Sequence, residues 1–135
     1  VSLAPGRRMG ANVAYTDAGF DALLEAGNVS RAGNRPPDVP KVSSNLWVTH
    51  RAGDWRTSAG LRYVGERFIG NANTQALPAY TTLDAAIGWA LGRNVQLQLN
   101  VRNLTDKLYA ITSYGSSQYL LGDERHAELT VHWRY

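Results

Sequence analysis

The sequence predicts an all-β protein, an antiparallel up-and-down meander of about six long strands. Three observations support this fold class: the period of the hydrophobic pattern, the length of each alternating run, and the unequal length of the connections. Alternation of apolar and polar residues with a period of two is typical of a strand that turns one face to an apolar medium.

The clearest alternation lies in the second half of the chain. Apolar residues occupy every second position in 83–91 and again in 95–101, and the polar turn 92–94 separates the two runs. A helical period would place Gln96 and Asn100 on the apolar face, so the pattern excludes a helix. We therefore expect a β-hairpin here.

The same alternation recurs in four other segments. The predicted strands are roughly 8–12 residues long, which exceeds the ~5–6 residues typical of soluble sheets. The four further runs of alternating residues lie within 9–15, 41–51, 55–63 and 127–135.

The connections between these strands alternate in length. Short turns are expected at 52–54 and 92–94, and long loops at roughly 17–40, 67–78 and 106–124. In an up-and-down sheet, alternate connections lie at the same end, so all short turns share one end and all long loops share the other. That asymmetry is typical of a bacterial outer-membrane barrel, which has short periplasmic turns and long extracellular loops.

The four Trp residues also favour a membrane setting. Trp55 follows the first short turn, Trp89 precedes the second, and Trp47 lies a few residues before the first. Trp133 ends the last strand, which an up-and-down topology places at the same end. An aromatic girdle at a membrane interface predicts this clustering, whereas a soluble core would favour Trp near mid-strand. Trp47 has the parity of polar neighbours, so either a bulge shifts the register or its side chain points inward. A soluble β-sandwich remains the alternative.

Composition excludes several classes of protein. The chain has no Cys, which excludes disulfide frameworks and thiolate zinc sites. A net charge of +3 is too small and too scattered to indicate nucleic-acid binding. No apolar run approaches the ~20 residues of a membrane-spanning helix.

Four segments carry a family resemblance. Residues 33–40 (GNRPPDVP), 77–84 (LPAYTTLD) and 101–109 (VRNLTDKLY) are similar to motifs that begin or end late barrel strands, and the final strand ends on an aromatic, Tyr135. In this order they resemble the C-terminal end of a TonB-dependent outer-membrane receptor of the ferric-siderophore type.

The resemblance implies that residues 1–135 are the C-terminal segment of a large transmembrane β-barrel, about the last quarter of a receptor with ~22 strands. The plug domain and the TonB-interacting region would lie upstream of Val1, which is not an initiator Met. The implied function is TonB-dependent uptake of a ferric siderophore across the outer membrane of a Gram-negative bacterium. The implied partners are the siderophore, the TonB system, the lipid bilayer and the barrel-assembly machinery, which would recognise the strand ending at Tyr135.

Two alternative functions stay open. The same receptor fold could import cobalamin, a sugar or another scarce nutrient. From a different class, a soluble β-sandwich could serve as a binding or adhesion module. We expect the isolated chain to self-associate, because its apolar face and sheet edges would be uncovered.

The resemblance also suggests where a ligand would bind. Siderophore receptors hold ferric chelates with aromatic and Arg side chains on extracellular loops and the upper lumen wall, since Arg suits anionic chelates and aromatic rings suit catecholates. Each Tyr could instead pack the loops or form the outer girdle. The candidates, with Arg67 and Tyr114 first, are Arg67, Tyr114, Tyr63, Tyr80, Tyr109 and Tyr119.

No enzyme, cofactor or metal site is predicted. Asp84 and Glu128 are not accompanied by a nucleophile at a converging spacing. His126 and His132 share a strand face but would be about 20 Å apart, at ~3.3 Å per residue, which is too far to share a metal ion.

Overall fold

The computed structural model describes residues 2–115 and 117–135 and is built from β-strands joined by turns and loops. Within those residues the strands are β1 (Ser2–Ala4), β2 (Arg7–Tyr15), β3 (Leu24–Glu25), β4 (Val29–Ser30), β5 (Val42–Ala52), β6 (Trp55–Val64), β7 (Arg67–Phe68), β8 (Ala76–Leu77), β9 (Tyr80–Leu91), β10 (Val95–Arg102), β11 (Ala110–Tyr114), β12 (Gln118–Leu121) and β13 (His126–Trp133).

One antiparallel sheet organises the chain, with the strand order β1-β2-β5-β6-β9-β10-β13. The six long strands, of 8–12 residues, follow each other in chain order, so the predicted meander is confirmed. Three two-stranded hairpins, β3–β4, β7–β8 and β11–β12, lie in the long connections. The sequence pattern predicted only loops in those connections.

The connections follow the predicted asymmetry. Residues 53–54 and 92–94 join long strands directly, whereas 16–41, 65–79 and 103–125 separate them at the opposite end of the sheet. Gly53 and Gly92 supply the positive φ, 55° and 68°, that such tight turns require. A further short turn at 5–6 joins β1 to β2 and was not predicted, because β1 is too short to show alternation.

One face of the sheet is continuously apolar. The pairing register runs without a shift from β2 to β13, so Leu46, Leu61 and Leu83 face one another in sequence across three strands. Further along the sheet, Leu99 lies between Ile87 and Leu129. We call this surface the apolar face and define it by Met9, Val13, Leu46, Val48, Leu61, Leu83, Ile87, Leu97, Leu99, Leu129 and Val131.

The apolar face has no second layer over it. Leu99, on the interior strand β10, is 38% exposed, and Leu129, on the edge strand β13, is 67% exposed. The buried hydrophobic residues among those described are Val64, Leu77 and Tyr80, which lie at the long-loop end. A soluble β-sandwich would cover this face with another sheet. The described residues supply no such sheet, and they contain no helix that is long and apolar enough to cross a membrane.

The Trp residues divide between the two faces. The rings of Trp55 and Trp89 stack on the apolar face near the short turns, 4.9 Å apart and 3° from parallel, and Trp133 lies close to the same end. Trp47 pairs with Gly10 and Gly60 in an unshifted register, so it belongs to the opposite, polar face. The expectation that all four Trp form one girdle is therefore wrong for Trp47. Of its two alternatives, the inward-pointing one is confirmed.

Small residues make room for Trp47 on the polar face. A Cβ added to Gly10 would lie 2.3 Å from the indole ring, so the ring packs directly on the backbone of β2. A concavity of about 490 Å³ adjoins it, lined by small and polar side chains that include Ser58 and Gln98 and by the charged side chains of Asp84 and Arg102.

Candidate ligand-binding loops

The three long connections gather at one end of the sheet, and we name them loop A (16–41), loop B (65–79) and loop C (103–125). Loops A and B are joined through one Asn side chain from each loop, Asn34 of loop A and Asn73 of loop B. Asn73 accepts a hydrogen bond from the backbone N–H of Arg35 at 2.7 Å and donates one to its carbonyl at 2.8 Å. The side chain of Asn34 donates to the carbonyl of Asn71 at 2.7 Å. An amide side chain can imitate a backbone partner in this way because it carries both a donor and an acceptor.

Charged and aromatic groups strengthen the same contact. Glu25 of loop A accepts hydrogen bonds from Asn71 and from Arg31, each at 2.9 Å. The bond from Asn71 is the main cause, and that from Arg31 the second, of a lowered pKa at Glu25. Arg35 also lies over the ring of Phe68, with its guanidinium carbon 4.5 Å from the ring centre.

Arg67 connects all three loops. Its side chain is only 3% exposed, and its guanidinium donates to the backbone carbonyls of Ala110 and of Ile111, the latter at 2.7 Å. The Nε atom lies 3.9 Å from a carboxylate oxygen of Asp38 in loop A. Arg suits this position because its five N–H donors can reach several acceptors at once.

Asp38 carries a second connection to loop C. Its other carboxylate oxygen accepts a hydrogen bond from the hydroxyl of Thr112 at 2.5 Å. The same loop junction therefore has charge pairing and hydrogen bonding across three segments. Within the described ranges no group of three or more His, Cys, Asp or Glu side chains is arranged to hold a metal ion.

An aromatic stack lies beside Arg67. The rings of Tyr80 and Tyr109 are 4.3 Å apart at an angle of 28°, and the Arg67 guanidinium lies 5.4 Å from the centre of the Tyr80 ring. A Cβ on Gly122 would lie 2.0 Å from Cζ of Tyr109, so the ring rests on a position where only glycine fits. Burial, followed by the proximity of Tyr80, raises the pKa of Tyr109.

Asn103 fixes the start of loop C. It is 3% exposed and adopts a positive φ of 47°, a conformation that Asn tolerates better than most residues. Its side chain donates to the carbonyls of Lys107 and Asp123 and accepts from the N–H of Lys107, each at 2.9 Å. Its backbone N–H donates to Asp84 at 2.9 Å. Within the 101–109 motif, these contacts end β10 and fix the path of the chain into loop C.

The sequence of this chain matches a known protein family. The family model described as "TonB dependent receptor-like, beta-barrel" matches residues 6–104. The chain belongs to the TonB-dependent receptor β-barrel family. The chain is 36% identical over 104 residues to the probable TonB-dependent siderophore receptor PiuA of Acinetobacter baumannii, which covers 76% of this chain and 14% of PiuA. It is 36% identical over 106 residues to the ferrioxamine receptor of Yersinia enterocolitica, covering 73% and 15% of the two chains.

Solved structures of such receptors share the fold. The crystal structure of PiuA from A. baumannii superposes with a TM-score of 0.86 at 28% identity, over 99% of this chain and 20% of that one. The ferric-catecholate receptor Fiu of E. coli, at 24% identity and a TM-score of 0.81, supports the fold alone. The chain thus spans about one fifth of these receptors or less.

Membership of the TonB-dependent receptor family gives the two faces of the sheet their surroundings. The family places this chain in the outer membrane of a Gram-negative bacterium, where the apolar face contacts lipid and the polar face lines the lumen. The short turns are then periplasmic, and loops A, B and C are extracellular. The stacked Trp55 and Trp89 lie at the periplasmic interface, as expected of an aromatic girdle.

Three of the predicted ligand-binding residues lie together in the structure of this chain. Arg67, Tyr80 and Tyr109 form one cluster, in which Arg67 and Tyr80 are buried and Tyr109 is half-buried. They therefore present little surface to a ligand in the extracellular space. Their contacts are with the loops, so the alternative that these residues pack the loops fits the geometry.

The other three predicted residues are separate from that cluster. Tyr63 pairs with Ser44 and Thr81 and shares the side of β6 that carries Leu61, so it lies on the apolar face. Tyr114 and Tyr119 lie on the β11–β12 hairpin of loop C and are 67% and 51% exposed. The exposed part of the candidate site is therefore the hairpin.

Several residues of the loop junction were missing from the prediction. Asp38 and Asn73 both have positive φ values, 59° and 54°, and both make contacts between loops. Both residues are Asp or Asn flanked by turn-forming residues, and that pattern could have indicated a positive φ at these positions. The sequence around Gly122 did not indicate that glycine is needed there, because the need arises from the ring of Tyr109, which is distant in sequence.

Proposed function

We propose that this chain forms the C-terminal part of the barrel of a TonB-dependent receptor that imports a ferric siderophore across the outer membrane. The observation that carries the proposal is the 36% identity over 104 residues to a protein described as a probable siderophore receptor. Other relatives are described as receptors for ferrichrome and for metal-pseudopaline, so the family alone does not specify one chelate. The proposed role is transport without catalysis.

The proposed ligand contacts are Tyr114 and Tyr119. Both are exposed on the β11–β12 hairpin, at the extracellular end and above the buried junction of the three loops. Aromatic rings can stack on planar chelating groups. In this proposal Arg67, Tyr80 and Tyr109 hold the hairpin in place rather than touch the ligand, and Tyr63 serves the outer aromatic girdle.

The proposed partners follow from the same assignment. Energy would come from the TonB system through a part of the receptor outside this chain. The barrel-assembly machinery would recognise β13 and the terminal aromatic Tyr135, which is fully exposed. The isolated chain would self-associate, because β13 has an unpaired edge and the apolar face would lack lipid.

Uptake of labelled iron by cells tests the proposal. The complete receptor is expressed in a strain that lacks its own siderophore receptors, and iron is supplied as hydroxamate, catecholate or citrate chelates. Labelled cobalamin and sugars are tested in parallel. We expect TonB-dependent uptake of at least one ferric chelate. Uptake of cobalamin or a sugar alone would overturn the siderophore assignment and retain the receptor.

Two substitutions locate the contact. Tyr114→Ala and Tyr119→Ala should each weaken chelate binding by roughly tenfold, the equivalent of about 1.4 kcal/mol per lost ring contact. Tyr63→Phe is the matched control, because it changes an aromatic side chain on the lipid side. If Tyr63→Phe weakens binding as much as the two hairpin variants, the proposed contact is wrong.

A further inference from the structure

Charge is divided unequally between the long loops and the rest of the chain. Loops A, B and C contain eight of the eleven acidic residues but only six of the fourteen basic residues, so their formal charge is −2, although that of the whole chain is +3. The remaining segments contain three acidic and eight basic residues. The extracellular end is therefore the acidic end of a basic chain.

Burial makes this asymmetry larger at the surface of the loops. Arg67 is buried, Arg31 is half-buried and paired with Glu25 at 2.9 Å, and the half-buried Arg35 lies over the ring of Phe68. Every acidic residue of the loops except Glu25 is exposed, seven in all. Among the described residues of the three loops, the exposed basic side chains are Lys41, Lys107 and Arg125. A ligand that approaches the loops therefore meets mainly carboxylates.

Two carboxylates lie at the base of the β11–β12 hairpin, which has no charged residue of its own. Asp38 accepts the hydrogen bond from Thr112 of β11, and its side chain remains 42% exposed. Burial and the neighbouring Tyr80 are the main causes of the raised pKa of Tyr109, and the negative charge of Asp123 adds to them. The carboxylate of Asp123 is therefore also close to the start of the hairpin.

The surroundings of the hairpin favour a cation over an anion. The exposed rings of Tyr114 and Tyr119 can bind a cation over their faces, and the carboxylates of Asp38 and Asp123 attract a cation and repel an anion. The guanidinium of Arg67 is 3% exposed, donates to the hairpin carbonyls and lies 3.9 Å from Asp38. Its Nη1 atom has no hydrogen-bond partner among the described residues, but it is buried. Arg67 is thus not accessible to an anionic chelate.

We propose that loops A, B and C select ferric chelates by charge, and that they favour a chelate with a cationic group over a neutral or an anionic one. The inference rests on the proposed function and specifies the class of chelate. The cationic group would lie against the rings of Tyr114 and Tyr119, near the carboxylates at the base of the hairpin. Charge complementarity of this kind also speeds association and rejects ligands of the wrong charge.

One chelating core with three different charges provides the probe. In a linear ferric trihydroxamate the charges of Fe³⁺ and of three hydroxamates cancel, so a free terminal amine makes the chelate cationic. Its N-acetyl derivative is neutral and its N-succinyl derivative is anionic. Quenching of Trp fluorescence measures the binding of each to the purified complete receptor, in about 0.01 M and in about 1 M salt. Ferric citrate and a ferric tricatecholate, both anionic, are measured in the same way.

The Asp38→Asn/Asp123→Asn double variant tests the carboxylates at the base of the hairpin. The amide oxygen that replaces the Asp38 carboxylate can still accept from Thr112. Asp54→Asn is the matched control, because it makes the same change at an exposed residue in a short turn at the other end of the sheet. The heat-dependent gel shift verifies assembly, and Asp123→Asn alone replaces the double variant if that variant does not assemble.

The ratio of the affinities for the cationic and the anionic derivative is the decisive quantity. A displaced hairpin would weaken all three derivatives by the same factor, whereas a charge effect changes their ratio. In low salt, we expect wild type to bind the cationic derivative at least about tenfold more tightly than the anionic one, with the neutral one between them. The double variant should lower this ratio at least about threefold, and Asp54→Asn should leave it unchanged. In about 1 M salt the ratio should approach one, because screening shortens the reach of the charges to ~3 Å.

The outcomes separate this inference from the proposed function. Equal or tighter binding of the anionic derivative overturns the inference and leaves the proposed function standing, as does a receptor that binds only ferric citrate or the tricatecholate. A ratio that the double variant does not change also overturns the inference, since the selecting charges would then lie elsewhere. A receptor that neither binds nor transports any ferric chelate refutes the proposed function, and the inference falls with it.

Discussion

Substitution of Leu99 by Arg tests the assignment of the apolar face most directly. Leu99 lies on β10, between Ile87 of β9 and Leu129 of β13 on the apolar face. It is five residues beyond Asn94, the last residue of a periplasmic turn, and so about 16 Å along the strand at ~3.3 Å per residue. At a strand tilt of ~40° this is about 12 Å along the membrane normal, close to the middle of an apolar band ~25 Å tall.

The depth of Leu99 sets the size of the effect. Arg on the lipid side near the midplane costs ~2–4 kcal/mol. That cost corresponds to a change of roughly 30- to 700-fold in the folding equilibrium. Gln98 is the matched control because it is the preceding residue on the same strand and faces the lumen, where its amide donates to Asn100 at 2.9 Å. Gln98→Arg should cost no more than about 1 kcal/mol, the value of one hydrogen bond.

Urea titration of the complete receptor in lipid vesicles measures both variants. Trp fluorescence follows unfolding in the titration and gives its free energy. The heat-dependent gel shift measures the assembled fraction in cells, which Leu99→Arg should also lower. We expect a large loss for Leu99→Arg and a small one for Gln98→Arg. Equal losses would mean that the two faces meet the same environment, and the lipid assignment of the apolar face would be refuted.

Four further outcomes are expected. Asn103→Ala should destabilise the receptor by about 1–3 kcal/mol, because the buried side chain of Asn103 holds loop C through hydrogen bonds to the carbonyls of Lys107 and Asp123. Leu104→Ala, at an exposed neighbouring position, should stay within ~0.5 kcal/mol in the same urea titration. Gly122→Ala should displace the Tyr109 ring and broaden or shift its NMR signals, and an unchanged ring environment would contradict the close contact. The pKa of Tyr109 in the folded protein is raised above 10.0, so the neutral Tyr109 side chain contributes stability that is fully present below pH 10 and is lost as the pH rises through the raised pKa. The difference in phenolate absorbance between wild type and Tyr109→Phe measures this pKa. A difference that titrates at or below pH 10.0 would contradict the shift. The isolated chain should sediment as an oligomer in water without detergent, and a monodisperse monomer of 14.8 kDa would contradict its need for a covered apolar face.

The sheet could be predicted from the sequence because period-two alternation is a local signal. Each long strand carries its own pattern, and the turns at 53–54 and 92–94 are short enough to fix which strands pair. Trp47 shows where such a signal becomes ambiguous. Its parity implied the polar face and its residue type implied the girdle, and the space over Gly10 decides between them.

The loop junction could not be predicted, for a physical reason. Arg67 binds carbonyl groups of Ala110 and Ile111, which are 43 and 44 residues away. Every residue has a backbone carbonyl, so the sequence carries no mark of which ones will meet the guanidinium. An exposed Arg on a loop and a buried Arg that connects three loops have the same local sequence pattern.

The buried junction also bears on how a receptor of this kind can present a binding surface on long loops. Ordering a loop has an entropic cost for each residue, and that cost is lower when ligand binding does not have to supply the order. Here Arg67 fixes the base of the hairpin through the carbonyls of Ala110 and Ile111, and Asn73 and Asn103 fix the bases of loops B and C. None of these hydrogen bonds involves Tyr114 or Tyr119. Under the proposed function, substitution of Tyr114 or Tyr119 should therefore change which chelate is recognised while the loop bases keep their hydrogen bonds. Substitution at the junction should instead weaken the binding of every chelate alike, because it would release the hairpin as a whole.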